Sequence, residues 1–388
     1  MPSKARAALL AAVIAASTTA TATAAPPQIH AHRGGTVVNG KPTFSEESLD
    51  AYRSAAKNGF VFEVDAKLTK DGVPVAIHDA TLDRTTTCTC QVRSFTRNSL
   101  RACRPDVLGS PGGGLKTRMV TPRGSIATIA EVLELARLTG SSVNLEIKNL
   151  PTDPDYDPTP AYANRVMNVV LASGLSRSRL LIQSFIPANL DVAKRRMPRV
   201  RTSLLTLGAG PTEIALARDN GYTWLSPQWP FAADFVRAAH RAKKFVVPYT
   251  LNDRAAVKAA ARAGVDALIT DDPLMAAGAL GQRPVKRLTA KLTRHGAEVE
   301  VTGRLATGRR RDCRGLITLR VLGANRTLHA RQTKLTRTCR YDVAASVPRG
   351  APARLQATIG FGGNDRLLPR LIGPRLVPQE LPRAVPHA

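Results

Sequence analysis

From residue 28 to about 280, short apolar runs alternate with longer stretches of helical period, a rhythm that predicts repeated βα units around a parallel sheet. Strands are expected over 28–32, 60–65, 73–78, 142–148, 179–185, 245–250 and 265–270, with weaker signals over 201–206 and 222–226. These are nine candidates for an eight-stranded barrel, and the pattern does not single out the extra one. Between them, 45–58 gathers Leu49, Tyr52, Ala55 and Ala56 on one side, with Ser45 or Thr43 as its N-cap, and 128–138 gathers Ile129, Val132, Leu133 and Ala136. The segment 81–124 carries three cysteines and a glycine-rich stretch at 110–114. An insertion this long, leaving the C-terminal rim of a barrel, is expected to serve the active site. Past residue 283 the pattern changes to apolar–polar alternation over 290–292, 297–301, 316–321, 341–347 and 354–359, which predicts a small antiparallel β-sandwich. The expected organisation is a TIM-type (β/α)8 barrel over 25–281, a basic all-β sandwich over 282–376 and a Pro-rich end that is disordered, from 374 in its composition and from 377 as a tail.

Charge and cysteine usage change this picture in two respects. The chain of 388 residues has a net charge of +27, and residues 281–388 carry +16 of it, with 22 Lys/Arg against 6 Asp/Glu. Such a surface attracts phosphorylated or otherwise anionic partners, among them an anionic cell-wall or membrane surface. Nucleic acid is not expected, because aromatic content is 4% and no reading motif interleaves with the basic runs; Arg309-Arg310-Arg311 reads as a solvated turn. The start of the chain reads as a signal peptide over 1–24: Lys4 and Arg6, a short apolar run over 8–16, and Ala22-Thr23-Ala24 before the cut. That predicts a secreted, extracellular or wall-associated protein. Five cysteines fit an oxidising compartment, with Cys313 and Cys339 the natural pair in the C-terminal region. In the insertion either Cys88 or Cys90 pairs with Cys103, leaving one thiol over.

Four short segments bring chemistry: His32-Arg33-Gly34-Gly35, Glu63-Val64-Asp65, Asp71 to Asp79 with His78, and Asn144-Leu145-Glu146-Ile147-Lys148. Alternation along a strand points Glu63 and Asp65 the same way, and likewise Glu146 and Lys148. Carboxylates from neighbouring strands converging at a barrel mouth repel one another unless a cation lies between them. An all-oxygen set suits a hard divalent ion, Mg²⁺ or Ca²⁺. His32 and His78 offer an acid and a base near neutral pH, and Arg33 and Lys148 offer positive charge to a phosphoryl oxygen. Each segment alone is commonplace. A lone strand-end histidine is usually structural, Glu-x-Asp is frequent, and Asn-x-Glu-x-Lys often marks a surface ion pair. Their occurrence together and in this order is what carries weight.

The series His-Arg-Gly, Ser-Glu-Glu-Ser-Leu, Glu-x-Asp-x-x-x-Thr-x-Asp-Gly-x-Pro-Val-x-x-His-Asp and Leu-Glu-Ile-Lys resembles the glycerophosphodiester phosphodiesterase family over about 28–280, with weaker support from Gln183-Ser184-Phe185, Tyr249 to Asn252 and Gly264 to Pro273. The resemblance implies a barrel hydrolase that cleaves glycerophosphodiesters to glycerol-3-phosphate and an alcohol. It implies His32 and His78 as acid and base, Glu63, Asp65 and Glu146 as metal ligands, and Arg33 and Lys148 on the phosphate. A neighbouring glycerol hydroxyl would attack phosphorus, with the cyclic phosphate opened next. Phe185 is either a wall of the substrate pocket or a plain core aromatic, and Glu46 and Asn252 are further candidates. Where the family usually has Pro-Glu-Asn-Thr, this chain has Ser45-Glu46-Glu47-Ser48, which is expected to add negative charge near the mouth. Two other readings compete: a phospholipase-D-like enzyme on the same barrel, favoured by an exposed apolar rim on the insertion, and a catalytically idle protein holding a polyanion.

Overall fold

In the computed structural model, which describes residues 26–109, 117–323, 326–348, 350–352 and 354–378, eight of the apolar runs become parallel strands. They are β1 Gln28–Ala31, β2 Val61–Leu68, β3 Val143–Ile147, β4 Leu180–Ser184, β5 Arg201–Thr206, β6 Trp224–Pro227, β7 Phe245–Val246 and β8 Ala267–Thr270. Neighbours in the sheet run in the order β8, β1, β2 and so on to β7. Asp266 N–H and Ile269 N–H then donate to the carbonyls of Val246 and Pro248 at 3.0 and 2.9 Å, which ties β8 to the β7 end. A helix follows each strand: α1 Leu49–Asn58, α2 Ile129–Thr139, α3 Ala161–Ala172, α4 Pro187–Arg196, α5 Pro211–Asp219, α6 Ala233–Arg241, α7 Arg254–Ala263 and α8 Pro273–Ala279. This is the expected TIM-type (β/α)8 barrel. The apolar stripes of α1 and α2 face it, with Tyr52, Ile129 and Leu133 fully buried.

Ser48, rather than Ser45 or Thr43, caps α1 by accepting from Ala51 N–H. Glu47 has a left-handed backbone, φ 60°, so the helix cannot extend further upstream. Thr128 and Glu131 form a reciprocal capping box on α2.

The ninth strand candidate, 73–78, is the one outside the barrel. β2 overshoots the rim and turns through Thr69 to Gly72, where Gly72 takes φ 74°, and Pro74–Ala76 returns antiparallel against Ala66 to Leu68. His78 is therefore delivered by a hairpin arm, not by the end of a barrel strand. The insertion that follows has its own small core of Val75, Ile77, Leu82, Val92, Leu100 and Ile126, closed by a Cys88–Cys103 disulfide; Cys90 is free and exposed.

The C-terminal region forms two sheets, β9–β10–β13 and β12–β11–β14–β15, from β9 Arg287–His295, β10 Glu298–Ala306, β11 Leu316–Gly323, β12 Arg326–Lys334, β13 Arg340–Ser346, β14 Leu355–Phe361 and β15 Arg370–Leu376. Val299, Val301, Leu319 and Ile359 fill the space between them, and Cys313 is bonded to Cys339. The alternation missed β12 and β15. Both are edge strands: the first is almost wholly polar, and the second contains Gly373-Pro374. Residues 374–376 thus belong to a strand, where disorder was expected. The leader at 1–24, the stretch 110–114 and the tail from 379 lie outside the described residues.

Candidate active site

Inward-facing residues of the barrel separate by side. On one side Trp224, Val247, Ala267 and Ile269 make an apolar layer. On the other, a polar ladder climbs the axis. His30 Nδ1 contacts Asn144 Nδ2 at 3.3 Å, Asn144 donates to Gln183 at 2.8 Å, and Gln183 donates to Glu63 Oε1 at 2.8 Å. Register sets the top of the ladder: Asp65 stands opposite Glu146, and Glu146 opposite Gln183. Alternation places Glu63 one layer below Asp65 on the same face.

Carboxylate oxygens of Glu63, Asp65 and Glu146 lie within 4.8 Å of one another, all three residues buried. Burial and Asp65 push Glu63 up to about 7. Burial, opposed by Lys148 and reinforced by Asp65, pushes Glu146 up to about 8. Burial works against Asp65 as well, but Lys148, His78 and Arg33 hold it well below the usual carboxylate range. Asp65 Oδ2 and Glu146 Oε1 accept no hydrogen bond from the described residues. Three crowded, buried carboxylates, with two of three proton affinities raised, fit a divalent cation.

Two cations border the cluster. Arg33 Nε lies 3.2 Å from Asp65, and its Nη1 is 3.3 Å from Glu46. Lys148 Nζ is 3.2 Å from Glu146 and 3.6 Å from Asp65. Arg33 has φ 50°, which turns its N–H onto Glu63 Oε2 at 2.9 Å. The glycine after it is needed because α1 passes close: a Cβ on Gly34, at φ 90°, would lie 2.6 Å from Ala51 Cβ.

Both histidines are fixed through Nδ1, to Asp271 at 2.5 Å for His32 and to Asp79 at 2.6 Å for His78, leaving each Nε2 free among the described residues. Burial and Arg33 lower the affinity of His32 for a proton, but Asp271 and Glu63 outweigh them and hold its pKa above the ordinary imidazole value. His78 is lowered to about 4 by burial and by Arg33 and Lys148. Similar rings thus meet opposite fields.

His32, Arg33, Glu63, Asp65, His78, Glu146, Lys148 and Phe185 all line one cavity of about 500 Å³. Phe185 is on this wall rather than in the core, edge-on to Tyr249 at 6.1 Å. Glu46 and Asn252 stand behind the wall. Glu46 clamps Arg33 and takes both Nη atoms of Arg84 at 2.7 and 2.9 Å, while Asn252 donates to Asp271 at 2.6 Å. Glu47 is not at the mouth. It is buried beneath β2, accepting from Asp65 N–H at 2.9 Å and from the Tyr52 hydroxyl, and burial, then Asp65 and Glu63, push its pKa well up. Its ionised form is therefore disfavoured, and what charge it has lies behind β2 rather than in the mouth.

Four participants had no assigned part in the sequence: Asp271, Asp79, Arg84 and Gln183. Asp271 lay in Thr-Asp-Asp-Pro, Asp79 in His-Asp and Gln183 in Gln-Ser-Phe, so each had a motif but no role. Arg84 had no signal, since only the folded insertion brings it to Glu46 and Asp79.

Comparison with known proteins agrees with this geometry. The profile of the Glycerophosphoryl diester phosphodiesterase family matches residues 32–275. A glycerophosphodiester phosphodiesterase of Bacillus altitudinis is 28% identical over 251 residues, covering 63% of this chain and 95% of its own length. Another, of Caldanaerobacter subterraneus, is 28% identical over 247 residues, covering 63% and 93%. Among solved structures, a glycerophosphoryl diester phosphodiesterase of Silicibacter pomeroyi superposes with TM-score 0.55 at 22% identity, over 66% of this chain and 93% of its own. A phosphodiesterase of Oleispira antarctica, in complex with the product sn-glycerol-3-phosphate, superposes at 0.54 and 22%, over 66% and 97%.

Proposed function

The chain belongs to the glycerophosphoryl diester phosphodiesterase family, a family of phosphoric diester hydrolases, and we propose that it hydrolyses glycerophosphodiesters to sn-glycerol-3-phosphate and an alcohol with a divalent cation and a pair of histidines. The observation that carries this reading is the gathering of Glu63, Asp65 and Glu146 within 4.8 Å on a cavity that both histidines face. Those three carboxylates would hold Mg²⁺ or Ca²⁺, which supplies positive charge to the phosphoryl oxygens and the attacking hydroxyl when bound.

The opposite fields on the two rings support a division of work. His78, neutral at pH 7, takes the proton from the glycerol hydroxyl next to the diester as that oxygen bonds to phosphorus. His32, whose hold on a proton Asp271 and Glu63 strengthen, gives one to the departing alcohol as the P–O bond breaks. Water opens the resulting cyclic phosphate with the two roles exchanged. Arg33 and Lys148 lie where they balance the charge of the phosphoryl group, and Phe185 with Tyr249 forms the wall beside the leaving alcohol.

Among the described residues of the insertion, Val92 and Leu100 are fully buried and Phe95 is partly buried, while Val120 is exposed by itself rather than in an apolar rim, which favours a soluble diester over a whole lipid. A secreted enzyme is supported by the start of the sequence and by two disulfides. The test is release of glycerol-3-phosphate from glycerophosphocholine with and without EDTA, repeated with His32→Ala and His78→Ala. EDTA is expected to abolish turnover, and each substitution to lower kcat by about 10²-fold to 10⁴-fold. Turnover that survives chelation, or survives loss of both rings, rules the reading out.

A further inference from the structure

Away from the barrel mouth, a cluster of four exposed arginines lies at one end of the sheet β9–β10–β13. Arg304 and Arg340 are direct cross-strand partners, so both side chains leave the same face side by side. Like charges in that arrangement repel and destabilise the strand pair. The turn after β10 brings Arg309 and Arg310 to the same place, and the four arginines line a concavity of about 670 Å³ with Thr307 and Thr338. All four are exposed, and none forms an ion pair among the described residues. The acid of this turn, Asp312, is buried and committed to Arg283 and Arg366. Asp342, the next acid along the face, stands opposite Thr302.

The concavity has a firm frame. Thr307 Oγ1 donates to the Arg309 carbonyl at 2.7 Å and accepts from Arg309 N–H at 3.3 Å, and the Cys313–Cys339 disulfide borders it. Its lining also sorts the anions that would fit. No aromatic side chain lines it, so there is no platform on which a nucleic-acid base could stack. Its one large apolar member, Leu305, is buried, and Ala306 beside it is small and half-buried, so nothing there would enter a bilayer. Four guanidinium groups around a space larger than one phosphate suit a flexible chain bearing several.

We infer that this concavity binds successive phosphate groups of a polymeric phosphodiester such as a glycerol-phosphate chain, holding the enzyme on a polymer whose linkage matches the chemistry of the barrel. The choice of polymer rests on the proposed diesterase function; the anion site does not.

The test uses the full chain and a soluble glycerol-phosphate oligomer, with affinity measured by calorimetry across a salt series. Arg304→Gln/Arg340→Gln and Arg309→Gln/Arg310→Gln are each expected to weaken binding at least about tenfold and to flatten the salt dependence, as lost phosphate contacts do. Arg331→Gln/Lys334→Gln, which removes the same charge from edge strand β12 on the other sheet, is expected to change affinity less than about twofold. Glycerophosphocholine turnover should be unchanged in all three, which separates this site from the barrel mouth. The first variant should melt no lower than the parent, because it relieves a repulsion. Equal losses in the β12 control would show a diffuse surface field and overturn the site, as would oligomer binding indifferent to the four arginines. Tighter arginine-dependent binding of anionic phosphatidylglycerol vesicles or single-stranded DNA would overturn the ligand.

Discussion

At the scale of single residues, the gathering of three buried carboxylates carries an electrostatic cost that a bound cation would relieve. Glu63 and Glu146, held near 7 and 8, bind protons in the folded state that the unfolded chain gives up near 4.5. Their contribution to stability is complete below that unfolded value and is lost as pH rises through 7 and 8. Asp65, depressed, contributes in the opposite sense, but only on acidification below the ordinary carboxylate range, so it does not offset the loss at alkaline pH. A metal-stripped protein is therefore expected to melt lower at about pH 9 than at about pH 6, and added Mg²⁺ or Ca²⁺ to raise the midpoint more at the higher pH. Cation binding near pH 7 should also release protons into a weakly buffered solution. Scanning fluorimetry at the two pH values, with and without cation, checks this. Equal midpoints and equal cation shifts would show that these carboxyls are not proton-loaded in the empty site.

At the scale of elements, the insertion braces the wall of the candidate site. Its disulfide closes a 15-residue separation and fixes the stretch from which Arg84 reaches Glu46 and Asp79, and Asp79 in turn holds His78 Nδ1. Closing a loop of that length is worth about 3 kcal/mol to the closed unit. Cys88→Ala/Cys103→Ala is expected to open the insertion to proteolysis between 81 and 124 and to lower kcat, while Arg84→Met lowers kcat by about 10-fold to 100-fold with the insertion intact. Limited proteolysis alongside steady-state kinetics separates the two. Normal kcat in Arg84→Met would show that Asp79 orients His78 unaided. What the sequence revealed follows the same division. Strand alternation, as in Glu63–Asp65 and Glu146–Lys148, is a local property and was legible, because register carries it straight into the mouth. The arm that presents His78 could not be told from a barrel strand, because an apolar run reads alike in a parallel strand and a returning hairpin. Arg84 meets Glu46 across 38 residues and Glu47 meets Asp65 across 18, so neither that clamp nor the burial of Glu47 had any local signature. β12 and β15 escaped because neither alternates: the first is almost wholly polar and the second is interrupted by Gly373-Pro374.

At the scale of the molecule, the sandwich and the mouth lie at opposite ends of the barrel. Strand and helix segments at the N-terminal face, including Gln28, Gly59, Thr139 and Ser142, share a crevice with Arg320, Phe361, Pro369 and Arg370 of the sandwich. Leu368 is buried within the barrel's own apolar cluster, and Arg320 reaches the Thr139 carbonyl at the end of α2. The sandwich is thus a floor to the barrel as well as a carrier of positive charge. Cutting the chain near residue 283 would bare that floor, so lost retention in a truncated protein would not by itself identify an anchoring role. A point change isolates the structural part. Leu368→Ala removes a buried leucine side chain and is expected to cost about 2–5 kcal/mol of stability, lowering the midpoint for the barrel. Because the floor is remote from Glu63, Asp65 and Glu146, kcat and KM at temperatures below the transition should stay unchanged. Calorimetry paired with kinetics on this variant decides the point. An unshifted midpoint would mean that barrel and sandwich fold independently, and an altered kcat would mean that strain at the floor is transmitted along the strands to the carboxylates.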